Sequence, residues 1–249
     1  MTAKTIVFAH HKGGTGKTTS CISVAGFLAK AGKKVLVVDL DPQGNATSGL
    51  GIDKNTVDIS MFHVMNKTLN IIEPILLNTR IENVHLAPAH SDLMIAEIKD
   101  ESVLRKALIG ARNSYDYILI DTPPGNHNLI MNGISAADHV VLTLDPGIFA
   151  LEGIGDFNDF LNKTENIDLD FMPDMIILTK AQSAFLKKAD PAKEIRNELE
   201  DMFMKNIYIV PYSIDIYESQ KKGLPVSHSF PKGNVGKAYK KIADDVLKL

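Results

Sequence analysis

The residues with the most chemistry in them sit together near the start of the chain, in His11-Lys12-Gly13-Gly14-Thr15-Gly16-Lys17-Thr18-Thr19. Three glycines in four positions let a backbone curl tightly and turn its N–H groups inward. A lysine and two hydroxyl residues then follow. Together they suit a polyphosphate: Lys17 reaches the β- and γ-phosphates, the Thr18 hydroxyl binds Mg2+, and Thr19 is placed for a further phosphate contact. The run follows a strand-like segment, Thr5–Ala9, and opens a helix-like one, Lys17–Ala31. The positive end of a helix dipole therefore joins the N–H groups. A glycine-rich turn with a chance lysine is the bland alternative, and the strand context, Gly-Lys-Thr and helix onset argue against it. The run departs from the general phosphate-loop pattern at two points. Its first glycine position is His11, and a second lysine, Lys12, lies five residues before Lys17.

Carboxylates come next. Asp39 and Asp41 close one apolar run, and Asp121 closes another. In open α/β sheets, ligands bind outside the carboxyl ends of the strands. Phosphoryl transfer asks for a positioned water, Mg2+ and charge neutralisation rather than covalent help. Asp121 is the natural metal-side carboxylate, acting through water. The alternative for each is a strand-end turn or helix-cap aspartate, and it weighs most on Asp39. Gln43 and Asn45 read as loop structure more than chemistry. His10 and His11 are of the type that titrates near neutral pH, but a packed, hydrogen-bonded pair is the preferred reading. Cys21 reads as a small buried hydrophobe.

The elements that must position these groups are legible as an alternation. Thr5–Ala9, Lys34–Asp39, Tyr117–Asp121, His139–Leu144, Met175–Thr179 and Ile207–Val210 are near-continuous apolar runs, as strands buried on both faces of a parallel sheet should be. Helix-length segments lie between them at Lys17–Ala31, Leu104–Arg112, Ala150–Lys163 and Pro191–Phe203. The expectation is an α/β, doubly wound, mostly parallel sheet with helices on both faces. No repeat, low-complexity tract or linker divides the chain, so residues 1–249 read as one domain. Residues 53–100 are the least clear, with Val84–Ala87 a possible strand. Gly236–Leu249 is helical in pattern, with Ala238, Ile242, Val246 and Leu249 recurring at three to four residues. A core-packing helix is preferred there over a membrane-surface one, which would want a basic face opposite bulky aromatics.

Composition sets the outer limits. The chain has 249 residues, 45% hydrophobic and 23% charged, with a formal net charge of -3. That is ordinary globular composition and excludes a strongly basic nucleic-acid binder as a whole-chain description. A single cysteine, Cys21, excludes an intrachain disulfide, a Cys-pair zinc site and a Cys-ligated iron–sulfur cluster within the chain. No apolar run reaches the roughly 18–20 residues that span a bilayer, and the first apolar run is too short for a signal-peptide core. A cytoplasmic protein without a membrane partner is expected.

Lys12-Gly-Gly-Thr-Gly-Lys-Thr-Thr resembles the deviant phosphate loop of the ParA/Soj/MinD ATPases. The resemblance continues in VLVVDLDPQGNATSGLG over Val35–Gly51, in ILIDTPP over Ile118–Pro124, and in FALEG over Phe149–Gly153. It is closest to ParA/Soj-type partition ATPases and weak over residues 53–100 and after Gln182. The resemblance implies ATP and Mg2+ as cofactors and slow, partner-stimulated hydrolysis. It implies an ATP-dependent homodimer in which Lys12 contacts the other subunit's phosphates. It gives Asp41 the attacking water and Asp39 the support of Mg2+ or the loop. Pro211 and Ser213 take positions that flank the adenine in such proteins, while the arginine usual between them is Tyr212 here. The implied partners are a ParB-like or other adaptor and double-stranded DNA bound without sequence preference, at the nucleoid in the ATP state. The implied role is segregation or positioning of a plasmid, chromosome region or other cargo. The rival readings are a MinD-like positioning ATPase on membrane and a metabolic P-loop ligase.

Charge by region refines the DNA question. Residues 180–249 hold 13 Lys+Arg against 9 Asp+Glu, while residues 1–179 hold 14 against 21. The basic candidates are Lys187, Lys188, Lys193, Arg196, Lys221 and Lys222, joined by Lys237, Lys240 and Lys241. A solvated charged surface is the alternative. Phosphate contacts would make any binding sequence-independent and salt-sensitive.

Overall fold

A computed structural model describes residues 2–146, 150–162, 172–181, 191–203 and 206–249. Strands β1 (Lys4–Ala9), β2 (Val35–Asp39), β3 (Val84–Ala87), β4 (Tyr117–Asp121), β5 (His139–Leu144), β6 (Met175–Ala181) and β7 (Asn206–Pro211) form one sheet in the order β3-β2-β4-β1-β5-β6-β7. Every pairing between these strands is parallel. The central strands are buried along their whole length, as their unbroken apolar sequences require. The outer edge of β3 is closed by Leu76, which exchanges two backbone hydrogen bonds with Leu86 at 2.7 and 3.0 Å.

Helices cover both faces. Helix α1 (Lys17–Lys30) fills one face beside β1, with short helices α2 (Asn45–Gly49) and α3 (Met61–Met65) following β2. Helices α4 (Val103–Leu108), α5 (His127–Ala136), α6 (Ala150–Leu161) and α7 (Pro191–Phe203) come next, then α8 (Ile214–Lys222), α9 (Val226–Ser229) and α10 (Asn234–Val246). The core divides in two around the sheet. One half joins Leu104, Leu129, Ile130, Phe157 and Leu199 to one face. The other joins Ile22, Leu28, Val226, Tyr239, Ile242 and Val246 to the opposite face. The doubly wound expectation holds. The apolar stripe of α10 is spent on the core, with Val235, Tyr239, Ile242 and Val246 all buried. The expected Leu104–Arg112 helix is shorter than its pattern, ending at Leu108 in turns.

Candidate functional site

At the carboxyl ends of the strands lies a cavity of about 610 Å3. One wall is the loop between β1 and α1. The opposite wall comes from the end of β6, from Val210 of β7, from Ile216 and Gln220 of α8, and from Tyr239 of α10. Gly14 and Gly16 have φ of +75° and +89°, the left-handed region that only glycine enters freely. A Cβ at Gly16 would also sit 2.9 Å from the Thr179 methyl. The loop is clasped from beneath: the Thr179 hydroxyl donates to the Thr15 carbonyl at 2.8 Å, and the Thr15 and Thr143 hydroxyls pair at 2.9 Å. Lys17 is 5% exposed, and its Nζ donates back to the Lys12 carbonyl at 3.0 Å. Burial lowers its pKa, while the Asp121 and Asp41 carboxylates pull it up.

Asp121 is fully buried, and neither carboxylate oxygen has a hydrogen-bond partner. Burial pushes its pKa well above the usual carboxylate value, and the nearby Asp39 charge adds to that. The Thr18 hydroxyl lies alongside and eases the charge without closing a well-formed hydrogen bond. Leaving a carboxylate buried and unsatisfied is costly. A hydrated divalent cation between Thr18 and Asp121 would remove that cost. Among the described residues there is no group of three His, Cys, Asp or Glu able to hold a metal alone. Mg2+ asks for little beyond Thr18 and Asp121, since it keeps its waters and leans on one carboxylate and the phosphates of a nucleotide. The residues present therefore fit Mg2+.

Asp39 differs from its neighbours. Its Oδ2 accepts from both the backbone N–H and the hydroxyl of Thr47 at 2.8 Å, and its Oδ1 accepts from the Asp41 N–H at 3.1 Å. Burial still raises its pKa to about 6 against those bonds. Both oxygens thus tie Asp39 to the loop after β2. Asp41 faces the cavity with its Oδ1 accepting from the Gln43 N–H at 2.9 Å. Burial raises its pKa, opposed by that bond and by the Lys17 and Lys54 charges. Gln43 and Asn45 also line the cavity, as do Thr18 and Thr19, and the Gln220 side chain donates to the Thr19 hydroxyl at 3.4 Å.

Lys12 behaves unlike Lys17. Its side chain is 46% exposed, lies outside the cavity lining, and pairs with Asp156 of α6 at 2.7 Å. Beneath it the His10 and His11 rings stack at 4.7 Å, with Phe157 and Phe160 continuing the stack. Pro211 ends β7, and the Ser213 hydroxyl accepts from the Asp215 N–H to cap α8; the cavity wall there is built by Val210 and Ile216 instead. Tyr212 is 69% exposed.

The basic candidates are distributed. Lys187 and Lys188 lie outside the described residues. Lys193 and Arg196 are on α7, where Arg196 pairs with Glu200 at 2.7 Å. Lys221 and Lys222 close α8, with the Lys222 Nζ 4.8 Å from the centre of the Phe230 ring. The α7 helix packs on one face of the sheet and α10 on the other. Sequence reasoning missed Thr179, Lys180, Gln220, Tyr239 and Asp156. Only Thr179 and Lys180 carried a signal, as polar residues at the carboxyl end of an apolar strand.

An AAA-domain family model matches residues 3–168. The sporulation initiation inhibitor protein Soj of Bacillus subtilis is 32% identical, covering 98% of each chain. The chromosome-partitioning ATPase Soj of Thermus thermophilus is 31% identical over 97% of this chain and 94% of its own length. Among solved structures, a cobyrinic acid a,c-diamide synthase from Mycobacterium smegmatis, with bound ATP analog and magnesium, superimposes with a TM-score of 0.81. It is 25% identical, covering 99% of this chain and 94% of the other.

Proposed function

The chain belongs to the ParA/Soj/MinD family of P-loop ATPases, and from that premise we propose that it is a ParA-type nucleotide switch working on ATP and Mg2+. The loop N–H groups, Lys17 and Thr19 bind the phosphates in this reading, and Thr18 and Asp121 hold the metal. Bound there, Mg2+ supplies charge neutralisation on the phosphates. Asp41, buried at the cavity wall, orients the attacking water. Its carboxylate is already fixed by the Gln43 N–H, so one oxygen is left for that task.

The observation that carries the reading is the placement of Lys12. A lysine serving its own subunit's nucleotide would line the cavity, as Lys17 does. Lys12 instead stands outside it in an exposed pair with Asp156. Exposed pairs of this kind are weak and exchange readily, so the ammonium is available to the phosphates of a second copy across a dimer interface. The ATP dimer then binds double-stranded DNA through its basic residues, and a ParB-like or other adaptor stimulates a slow hydrolysis that resets it. The protein works in the cytoplasm, moving a plasmid, a chromosome region or another cargo.

Light scattering with ATP and Mg2+ tests this. Wild type should dimerise, and Asp41→Ala should accumulate the dimer. Lys12→Ala should keep most ATP affinity but stay monomeric and lose turnover, whereas Lys17→Ala should lose nucleotide binding. A monomeric Lys12→Ala with normal turnover would overturn the cross-subunit role. The ATP-trapped dimer should retard duplex DNA at low salt and should not sediment with anionic vesicles. The reverse result would favour a membrane positioner.

A further inference from the structure

Lys180 is the penultimate residue of β6 and lines the cavity with Lys17 and Thr19. Its backbone is left-handed, with φ of +58°, a conformation that a long L side chain adopts only at a cost. The cause is a bulge. Leu178 pairs with Ile209 and Ala181 with Pro211, so two residues of β6 stand opposite one of β7. The residue before it, Thr179, holds the Thr15 carbonyl and packs against Gly16. The extra residue then throws the Lys180 side chain back across the same loop. Its Nζ ends 3.6 Å from where a Cβ on Gly14 would lie. The end of β6 therefore meets the phosphate loop twice, with a hydroxyl bonded beneath it and an ammonium beside Gly14.

Lys180 is exposed, and its charge faces the loop rather than an acidic partner. The Lys180 ammonium has no ion pair among the described residues. It lies against Gly14, just before the positive end of α1. A strained backbone that carries an unpaired cation toward like charge is sustained when a bound anion gathers those charges together, and strain of this kind concentrates at ligand clamps. We infer that Lys180 is a second phosphate-binding lysine acting in cis: its stem walls the cavity and its ammonium binds the polyphosphate of the subunit's own nucleotide over Gly14. This rests on the reading of the cavity as a nucleotide site. It separates two lysines by reach, Lys180 serving its own subunit and Lys12 the other.

Titration of the full chain with MgADP and MgATP at several NaCl concentrations tests it. Lys180→Met keeps the stem and removes the charge, and should raise the Kd for both nucleotides about tenfold, as loss of one charged hydrogen bond does. It should also flatten the dependence of Kd on salt. Lys180→Arg should recover most of the affinity. Lys180→Gly relieves the backbone, so it should lose affinity like the Met variant while melting no lower than wild type. Wild-type affinity in Lys180→Met would overturn the inference. So would a Lys180→Gly protein that melts lower yet binds as wild type does, because Lys180 would then be structural. If wild type itself binds neither nucleotide, the nucleotide reading fails instead.

Discussion

His10 sits 1% exposed under the phosphate loop, and the Lys12 N–H donates to its Nδ1 at 2.9 Å. That bond needs Nδ1 bare, so the ring is neutral with its proton on Nε2. Burial, with His11 and Lys17 adding charge of the same sign, lowers its pKa from 6.5 to about 3. A base depressed in this way stabilises the fold above its unfolded pKa, and the contribution is lost as pH falls from 6.5 toward 3. Between pH 7 and pH 5, wild type should lose about 2 kcal/mol relative to His10→Asn, read by urea unfolding at the two values. An unchanged difference would mean the ring is already charged when folded. Thr47 supplies two of the three hydrogen bonds to Asp39, and its hydroxyl also accepts from the Ala89 N–H at 3.2 Å. Thr47→Val should therefore cost roughly 1–3 kcal/mol, measured the same way. Cys21 is fully buried and its thiol is pushed up by that burial. A maleimide should label it only on unfolding. At this scale the sequence made Gly14, Gly16, Lys17 and Asp121 readable, because a phosphate loop is a local pattern. It could not show that Lys12 finds Asp156, since 144 residues separate them and nothing local to either points to the other.

Helix α10 ties the terminus of the chain to the cavity wall, through Tyr239 at the cavity and Ile242 and Val246 in the core beside α1. Its approach is close: a Cβ on Gly236 would stand 2.3 Å from the Phe230 carbonyl oxygen, and that contact is backbone. Gly236→Ala should shift α10, lower the melting temperature and weaken nucleotide binding together. Ile242→Ala removes buried volume without that shift and should cost about 2–5 kcal/mol, with affinity kept in the fraction still folded. The strands were legible to within a residue or two because burial on both faces leaves an unbroken apolar run. Several helices were not. The sequence of α8, Ile214–Lys222, alternates polar and apolar residues with little stripe, and α5 carries a mid-helix glycine. Gly133 is there because a Cβ would lie 2.8 Å from the Thr122 methyl, a packing reason that no propensity scale contains.

For the whole molecule, the described basic residues of α7 and α10 do not share a face, since the two helices flank opposite sides of the sheet. A single chain should bind DNA weakly, and pairing two chains should raise affinity through effective concentration rather than new contacts. The log-log slope of binding against salt should steepen from monomer to ATP dimer, and equal slopes would remove the dimer from the account. The arrangement of the sheet sets the order in which the site is assembled as the chain is made. The loop near residue 15 is completed by a hydrogen bond from Thr179, 164 residues later, and the cavity wall takes in Tyr239, later still. A chain still on the ribosome therefore displays its phosphate loop long before that loop has a floor or the cavity a far wall. A fragment ending before Thr179 would carry the full phosphate-loop motif without the hydrogen bond beneath it, and so should hold nucleotide poorly.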